Sequence, residues 1–219
     1  MEEYARKSVF DRETIFFKDT FEKIETALSR DKTDRRILRF KYETASGQII
    51  TCHVQPYGIV GDPAVQYHYL VGLSKVEGSD DYSLASFRIS RIQDDTIIEH
   101  AKSYGSGSIP ESKRKAISAK IEANGVQFLM ADEEIIRIQL TPAGLQMYNT
   151  MHYMHPASSS VRSIERQEDG SVIYEFSCTR RQIEYYFFKF GKEATVLEPT
   201  DLVEKFKGQY KDALAQYEE

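Results

Sequence analysis

From Ile37 to Ile98 the apolar residues of this chain fall into short strand-like runs divided by turn signals, the first of them alternating with a period of two. Period-two alternation marks half-buried antiparallel strands, so this stretch cannot fold as helix. Ile37-Leu38-Arg39-Phe40-Lys41-Tyr42 puts Leu38, Phe40 and Tyr42 on one side and Arg39 and Lys41 on the other. After a Ser46-Gly47 turn, Ile49-Ile50-Thr51-Cys52-His53-Val54 is a second strand, which Pro56-Tyr57-Gly58 is expected to break, leaving Ile59-Val60 and a Gly61-Asp62-Pro63 loop. Gln66 to Leu73 is a third strand, Gly78-Ser79-Asp80-Asp81 a turn, and Ser83 to Ile89 a fourth strand. Arg91-Ile92 then leads into Thr96-Ile97-Ile98. Several short strands in so little chain predict a small antiparallel barrel.

The flanks read differently. Phe17, Phe21, Ile24 and Leu28 fall on one face of a helix expected from Glu13 to Leu28, with Asp11 as its N-cap. Gly105-Ser106-Gly107-Ser108 is a hinge, and Glu111 to Ala123 is helical, closed by Asn124-Gly125. Residues 101–133 read as a connector or as the outer helix of the first domain. Beyond them, strands at Ile135–Leu140, Ser160–Glu165, Ser171–Cys178 and Thr195–Leu197 alternate with helices at Pro142–Tyr153, after Thr179, and after Asp201. Asp169-Gly170 marks a hairpin, and Thr179 with Gln182 has capping-box spacing. The order β-α-β-β-α-β-α is that of a ferredoxin-like split βαβ unit with an added helix. The fold class expected is therefore α+β. A helical segment (1–34) precedes an Sm-like barrel (35–100), a connector helix (101–133) and a ferredoxin-like domain (134–219).

Composition narrows the function. The 219 residues are 41% hydrophobic, enough for a core, and no apolar run approaches the length of a bilayer span. Cys52 and Cys178 are the only cysteines, which excludes a disulfide scaffold and metal fingers and points to a reducing cytoplasm. The net charge of −5 arises from 29 basic and 34 acidic residues spread evenly along the chain. Any positive site must be assembled by folding from scattered arginines. No Gly-rich phosphate loop, nucleophile elbow, HExxH or zinc-deaminase pattern occurs, so neither catalysis nor a cofactor is expected. His152 and His155 lack further ligands nearby, and a surface loop is the expected setting.

Four blocks of the alternating region resemble a WYL domain, an Sm-like barrel of bacterial transcription regulators and defence-associated proteins. They are Leu38-Arg39-Phe40-Lys41-Tyr42, Val54-Gln55-Pro56-Tyr57-Gly58-Ile59-Val60, His68-Tyr69-Leu70-Val71-Gly72 and Phe87-Arg88-Ile89-Ser90-Arg91-Ile92. His68 stands where the family's tripeptide begins with Trp, and Cys52 and Ala85 stand where many members carry further arginines. Asp169-Gly170, Phe190-Gly191 and Val196-Leu197-Glu198-Pro199 resemble the C-terminal extension that usually follows this barrel. Only 34 residues precede the barrel, so the family's usual winged helix-turn-helix is not expected within the chain. The resemblance implies ligand sensing in transcription or defence regulation, by a homodimer whose second domain reaches its partner's barrel, with a separate DNA-binding or effector subunit as a further partner.

Arg88 and Arg91 are the leading site residues. Three apart on an ideal strand they face opposite sides, so a bend or bulge is required between them. Guanidinium groups grip phosphate at two points and stack on bases, while Tyr42, Tyr57, Tyr67 and His68 offer aromatic surfaces. His53 completes the candidate set. The expected ligand is a single-stranded oligonucleotide or a nucleotide, with no membrane involvement. Against this stand two plainer readings: Arg88 and Arg91 pair with Asp94, Asp95 or Glu99 while the tyrosines pack, or the barrel is a protein–protein interaction module. Arg180-Arg181 with Lys189 and Lys192 reads as a solvated helix surface. The run Tyr185-Tyr186-Phe187-Phe188 covers more than one helix face, and part of it is expected to be hidden by another domain or subunit.

Overall fold

In a computed structural model that describes residues 13–62, 67–78, 81–152 and 154–217, the chain is α+β, with two antiparallel sheets in two compact units. The first unit runs to Ile121 and includes Gly125–Met130; the second comprises Glu122–Asn124 and the chain from Ala131 onward.

The first unit's sheet joins β1 (Leu38–Glu43), β2 (Ile49–Asp62), β3 (Tyr67–Val76), β4 (Ser83–Arg88) and β5 (Ile98–Glu99) in the order β4-β3-β2-β1-β5. Alternation sends Leu38, Phe40, Cys52, Val54, Leu70, Ala85 and Phe87 to one face, where all are buried. Helix α1 (Lys18–Ser29) covers that face with Phe21, Ile24 and Ala27, and Phe17 and Leu28 pack at its margin. Residues 13–16 are helical as well, and the expected Asp11 cap lies outside the described residues.

The opposite face carries Val71 and Leu73 of β3, buried under Ile109, Ile117, Val126 and Leu129. Ile117 belongs to α2 (Glu111–Asn124), which ends at Gly125 in the left-handed region (φ 73°), its N–H bonded to the Ile121 carbonyl. The segment through Ile121 is thus an outer layer of the first unit.

The first sheet departs from the sequence expectation at two points. Pro56 does not break β2, which continues for 14 residues with a bulge between Pro56 and Gly58. Tyr57 is the extra residue, and the bulge accommodates a proline that cannot donate to the ladder. The bulge also shifts parity, so that Val60 and Asp62 share a face with Gln55 and His53. The second correction follows β4: the chain enters a 3-10 turn at Ile89–Arg91, touches Tyr42 through Ile92, and makes another such turn at Asp94–Thr96 before β5.

The second unit contains β6 (Glu133–Leu140), α3 (Pro142–Thr150), β7 (Val161–Arg166), β8 (Val172–Thr179), α4 (Arg180–Phe187), β9 (Ala194–Glu198) and α5 (Thr200–Ala215). Its sheet order is β7-β8-β6-β9, the split βαβ arrangement. Thr141 and Thr179 cap α3 and α4 by accepting from the amides of Gly144 and Gln182. Asp169 accepts from the Ser171 amide, and Gly170 takes a φ of 81° in the hairpin.

Most of the aromatic run is absorbed within the second unit's own core. Tyr186 and Phe187 are fully buried in the second core. Helix α4 stops at Phe187, and a 3-10 stretch (Phe188–Glu193) turns Phe188 onto Tyr210 of α5, ring centres 4.8 Å apart. Only Tyr185 is left half exposed. Among the described residues no helix is long and apolar enough to cross a membrane.

Candidate functional site

Helix α2 covers the centre of one face of the first sheet, and the face continues beyond it to one end. There β3 begins, β2 finishes and β4 finishes. Register places Tyr69 opposite both Val60 and Arg88, and Tyr67 opposite Asp62, so Asp62, Tyr67, Tyr69 and Arg88 share one face. The Arg88 guanidinium carbon lies 3.2 Å from the Tyr67 ring centre, a close stacked cation–π pair. Its Nε is buried and has no hydrogen-bond partner among the described residues. The Tyr69 phenol is pushed up to about 12, by burial first and by the Asp62 carboxylate second, with Arg88 opposing.

Arg91 ends the 3-10 turn that Arg88 precedes. Such a turn has about three residues per repeat, so it sets Arg88 and Arg91 one turn apart where a straight strand would oppose them. Of the carboxylates that follow them, that of Glu99 is engaged by another arginine. Glu99 receives Arg30 through bonds of 2.7 and 3.0 Å, and the Asp94 carbonyl receives Lys23 at 2.7 Å. Among the described residues neither Arg88 nor Arg91 forms an ion pair.

The remaining sequence candidates lie in other places. His68 neighbours Tyr67 along the strand and so points to the α1 face. Its ring meets Phe21 edge-on, and one oxygen of buried Glu13 lies 3.0 Å from Nδ1 while accepting the His68 amide at 2.7 Å. Tyr42 packs edge-on against Phe87, ring centres 5.1 Å apart. Tyr57, at the bulge, lies under the Arg114 guanidinium, whose carbon is 4.5 Å from the ring centre, and its carbonyl accepts from the same group. His53 sits opposite Lys75, six residues along β3 from Tyr69, a separation of roughly 20 Å. Folding therefore joins Tyr67 to Arg88, adds Tyr69 and Asp62, and disperses Tyr42, Tyr57, His68 and His53.

Tyr69 could have been found from parity, because it shares a face with Tyr67 two residues away. Glu13, 55 residues from His68, gives no local signal. Cys52 and Ala85 are buried on the α1 face, the Cys52 thiol pushed up to about 11 by burial, so no cation occupies those positions.

In the second unit Arg180 is held by Glu134, at 2.6 and 2.8 Å, and by Asp201. It lines a cavity of about 1000 Å³ that also contains Arg181, Glu184, Lys189 and Lys205, a mixed-charge surface. His155 rests on Tyr148, ring centres 4.2 Å apart, with Nδ1 against the Pro156 carbonyl and its basicity lowered by burial. Among the described residues no three His, Cys, Asp or Glu side chains converge as a metal site.

Family comparison matches residues 19–97 to the WYL domain and residues 132–214 to the WCX domain. No curated protein sequence matches significantly. Among solved structures, the crystal structure of a CRISPR Cas-related protein is similar over 94% of this chain, with a TM-score of 0.74 and 24% identity. The chain spans 54% of the length of that protein, and the likeness is one of fold. Proteasome accessory factor B/C of Arthrobacter aurescens aligns over 85% of this chain and 25% of its own, at 18% identity and a TM-score of 0.33.

Proposed function

Because this chain belongs to the WYL domain-containing proteins, with a WCX domain following its WYL domain, we propose that it is a non-catalytic, ligand-sensing regulator. Its first unit binds a nucleic-acid-derived anion, a single-stranded oligonucleotide or a nucleotide, and occupancy is signalled through a homodimer in the cytoplasm. The observation that carries this reading is the Arg88 guanidinium, stacked on Tyr67, with a buried Nε that no group among the described residues satisfies.

The chemistry follows from that geometry. Tyr67 holds the guanidinium plane against rotation, so its free edge presents N–H donors in the fork that suits a phosphate. The guanidinium face away from Tyr67 offers a surface on which a base stacks, making a base–guanidinium–phenol sandwich. Arg91 adds a second positive charge one turn further on. Asp62 repels phosphate from the β2 side, which leaves the approach along the Ile89–Arg91 turn. The fold likeness to a CRISPR Cas-related protein supports a setting in defence or transcription regulation, with a separate DNA-binding or effector partner. Exposed Ile15 and Phe16, at 72% and 80%, support a second copy covering the N-terminal helical residues.

The test is fluorescence anisotropy with labelled single strands at low salt. Arg88→Ala and Tyr67→Leu should each weaken binding by about tenfold, equivalent to ~1.4 kcal/mol. Unaltered binding in both variants, or no binding by the wild type, overturns the ligand reading in favour of a protein interaction module.

A further inference from the structure

The far end of the same sheet face gathers a second set of cations. His53 pairs in register with Arg39 on β1 and with Lys75 on β3, so these three side chains lie abreast across three strands. The chain beyond β5 brings His100 and Tyr104 onto them. His53 Nδ1 is 2.9 Å from His100 Nε2, and the Tyr104 hydroxyl is 3.2 Å from that Nδ1. The His100 and Tyr104 rings stack with centres 3.8 Å apart and planes 5° apart. The Lys75 ammonium lies 5.5 Å from the Tyr82 ring centre and 5.7 Å from that of Tyr104. Arg39, His53, Lys75, Glu77, His100 and Tyr104 line a recess of about 420 Å³.

The charge in this recess is uneven. Arg39 and Lys75 are permanent cations, Glu77 is an exposed carboxylate, and two imidazoles lie between them. Among the described residues Arg39 forms neither an ion pair nor a side-chain hydrogen bond. Both imidazoles are held below the usual histidine range: His53 by burial and then by His100, His100 by burial and then by Arg39 and Lys75. The walls are aromatic, and such walls strengthen the field of the cations they enclose. A metal ion is disfavoured here by the two fixed positive charges.

We propose that this recess is a second anion site, independent of Arg88, which takes a small phosphate-type dianion and couples its binding to proton uptake by the His53–His100 pair. The pair shares one proton across its 2.9 Å bond, and each nitrogen in that bond is then used. At His100 a further proton is opposed by Arg39 from β1 and by Lys75 from β3; at His53 the same two cations oppose it, while Glu77 beyond β3 favours it more than either of them alone opposes it. A dianion seated against Arg39 and Lys75 removes the opposition, so the anion and the proton each favour the other. The site is separate from the first one because α2 covers Val71 and Leu73 between them.

The experiment is a pH titration of the histidine ring signals of the full chain by NMR, with and without inorganic phosphate, at ionic strength matched with chloride. Phosphate should shift the His53 and His100 signals and raise their midpoint by about half a pH unit, a roughly threefold preference for the protonated pair. Arg39→Gln and Lys75→Gln should each remove that response, and Arg88→Ala should leave it intact. Signals unmoved by phosphate, an equal response to chloride, or an undiminished response in both Arg39→Gln and Lys75→Gln would overturn the proposal. Because the readout involves no oligonucleotide, it stands or falls separately from the Arg88 site.

Discussion

At the scale of single residues, burial and parity decide what each side chain can do. Tyr67 and His68 are neighbours in sequence, yet one supports Arg88 and the other anchors the chain ahead of α1 through Glu13. The Glu13 carboxylate is 7% exposed and satisfies both the amide and the ring of His68 with one oxygen. Glu13→Ala removes both bonds to His68, a cost of about 1–3 kcal/mol. The expected outcome is a lowered denaturation midpoint together with faster hydrogen exchange across residues 13–29; an unchanged exchange pattern would show that Glu13 does not secure this segment. Of the candidate residues, Arg88 and Tyr67 were legible in sequence, and the cross-strand rule would have supplied Tyr69. The dispersal of Tyr42, Tyr57 and His53 was hidden, because it depends on a bulge and on contacts with the chain beyond β5.

At the scale of elements, alternation and capping chemistry made nearly every strand and helix legible. The exceptions have physical causes. Pro56 reads as a strand breaker, and the bulge that accommodates it depends on the opposing residue. That residue is Gly72, where an added Cβ would lie 2.4 Å from the Gln55 carbonyl oxygen and 2.6 Å from a Val54 methyl. Gly72→Ala should force β2 and β3 apart and destabilise the first unit by at least the 1–3 kcal/mol usual for overpacking. Circular dichroism melting would register this as a clear drop in midpoint, and a variant as stable as wild type would refute the close approach. The aromatic run after Thr179 was similarly ambiguous. Period alone continues α4 to Phe190, while the switch to a 3-10 stretch at Phe188 depends on the contact with Tyr210.

At the scale of the whole molecule, the shifted groups that titrate below neutral pH bias stability in one direction. Asp34, Asp169 and Asp201 are held below the usual carboxylate range, by Arg36, by hydrogen bonds from Ser171, and by Arg180 respectively. Their contribution is present above the ordinary aspartate range and is lost as pH falls through it. His53, His100 and His155 are also held down, chiefly by burial, so below about pH 6.5 the unfolded chain takes up protons before the folded one. Both effects make stability fall with acidification. The thermal midpoint at pH 5 should lie below that at pH 7.5, and a midpoint that rises on acidification would contradict these assignments.

Arg88 is proposed to be a cation reserved for an anionic ligand, and the salt dependence of single-strand binding tests that most directly. Wild-type affinity should fall steeply and linearly on a log–log plot against salt, and Arg88→Ala should show both weaker binding and a shallower slope, by about 0.7 for one lost phosphate contact. Binding that is indifferent to salt, or a variant with the wild-type affinity and slope, would contradict it.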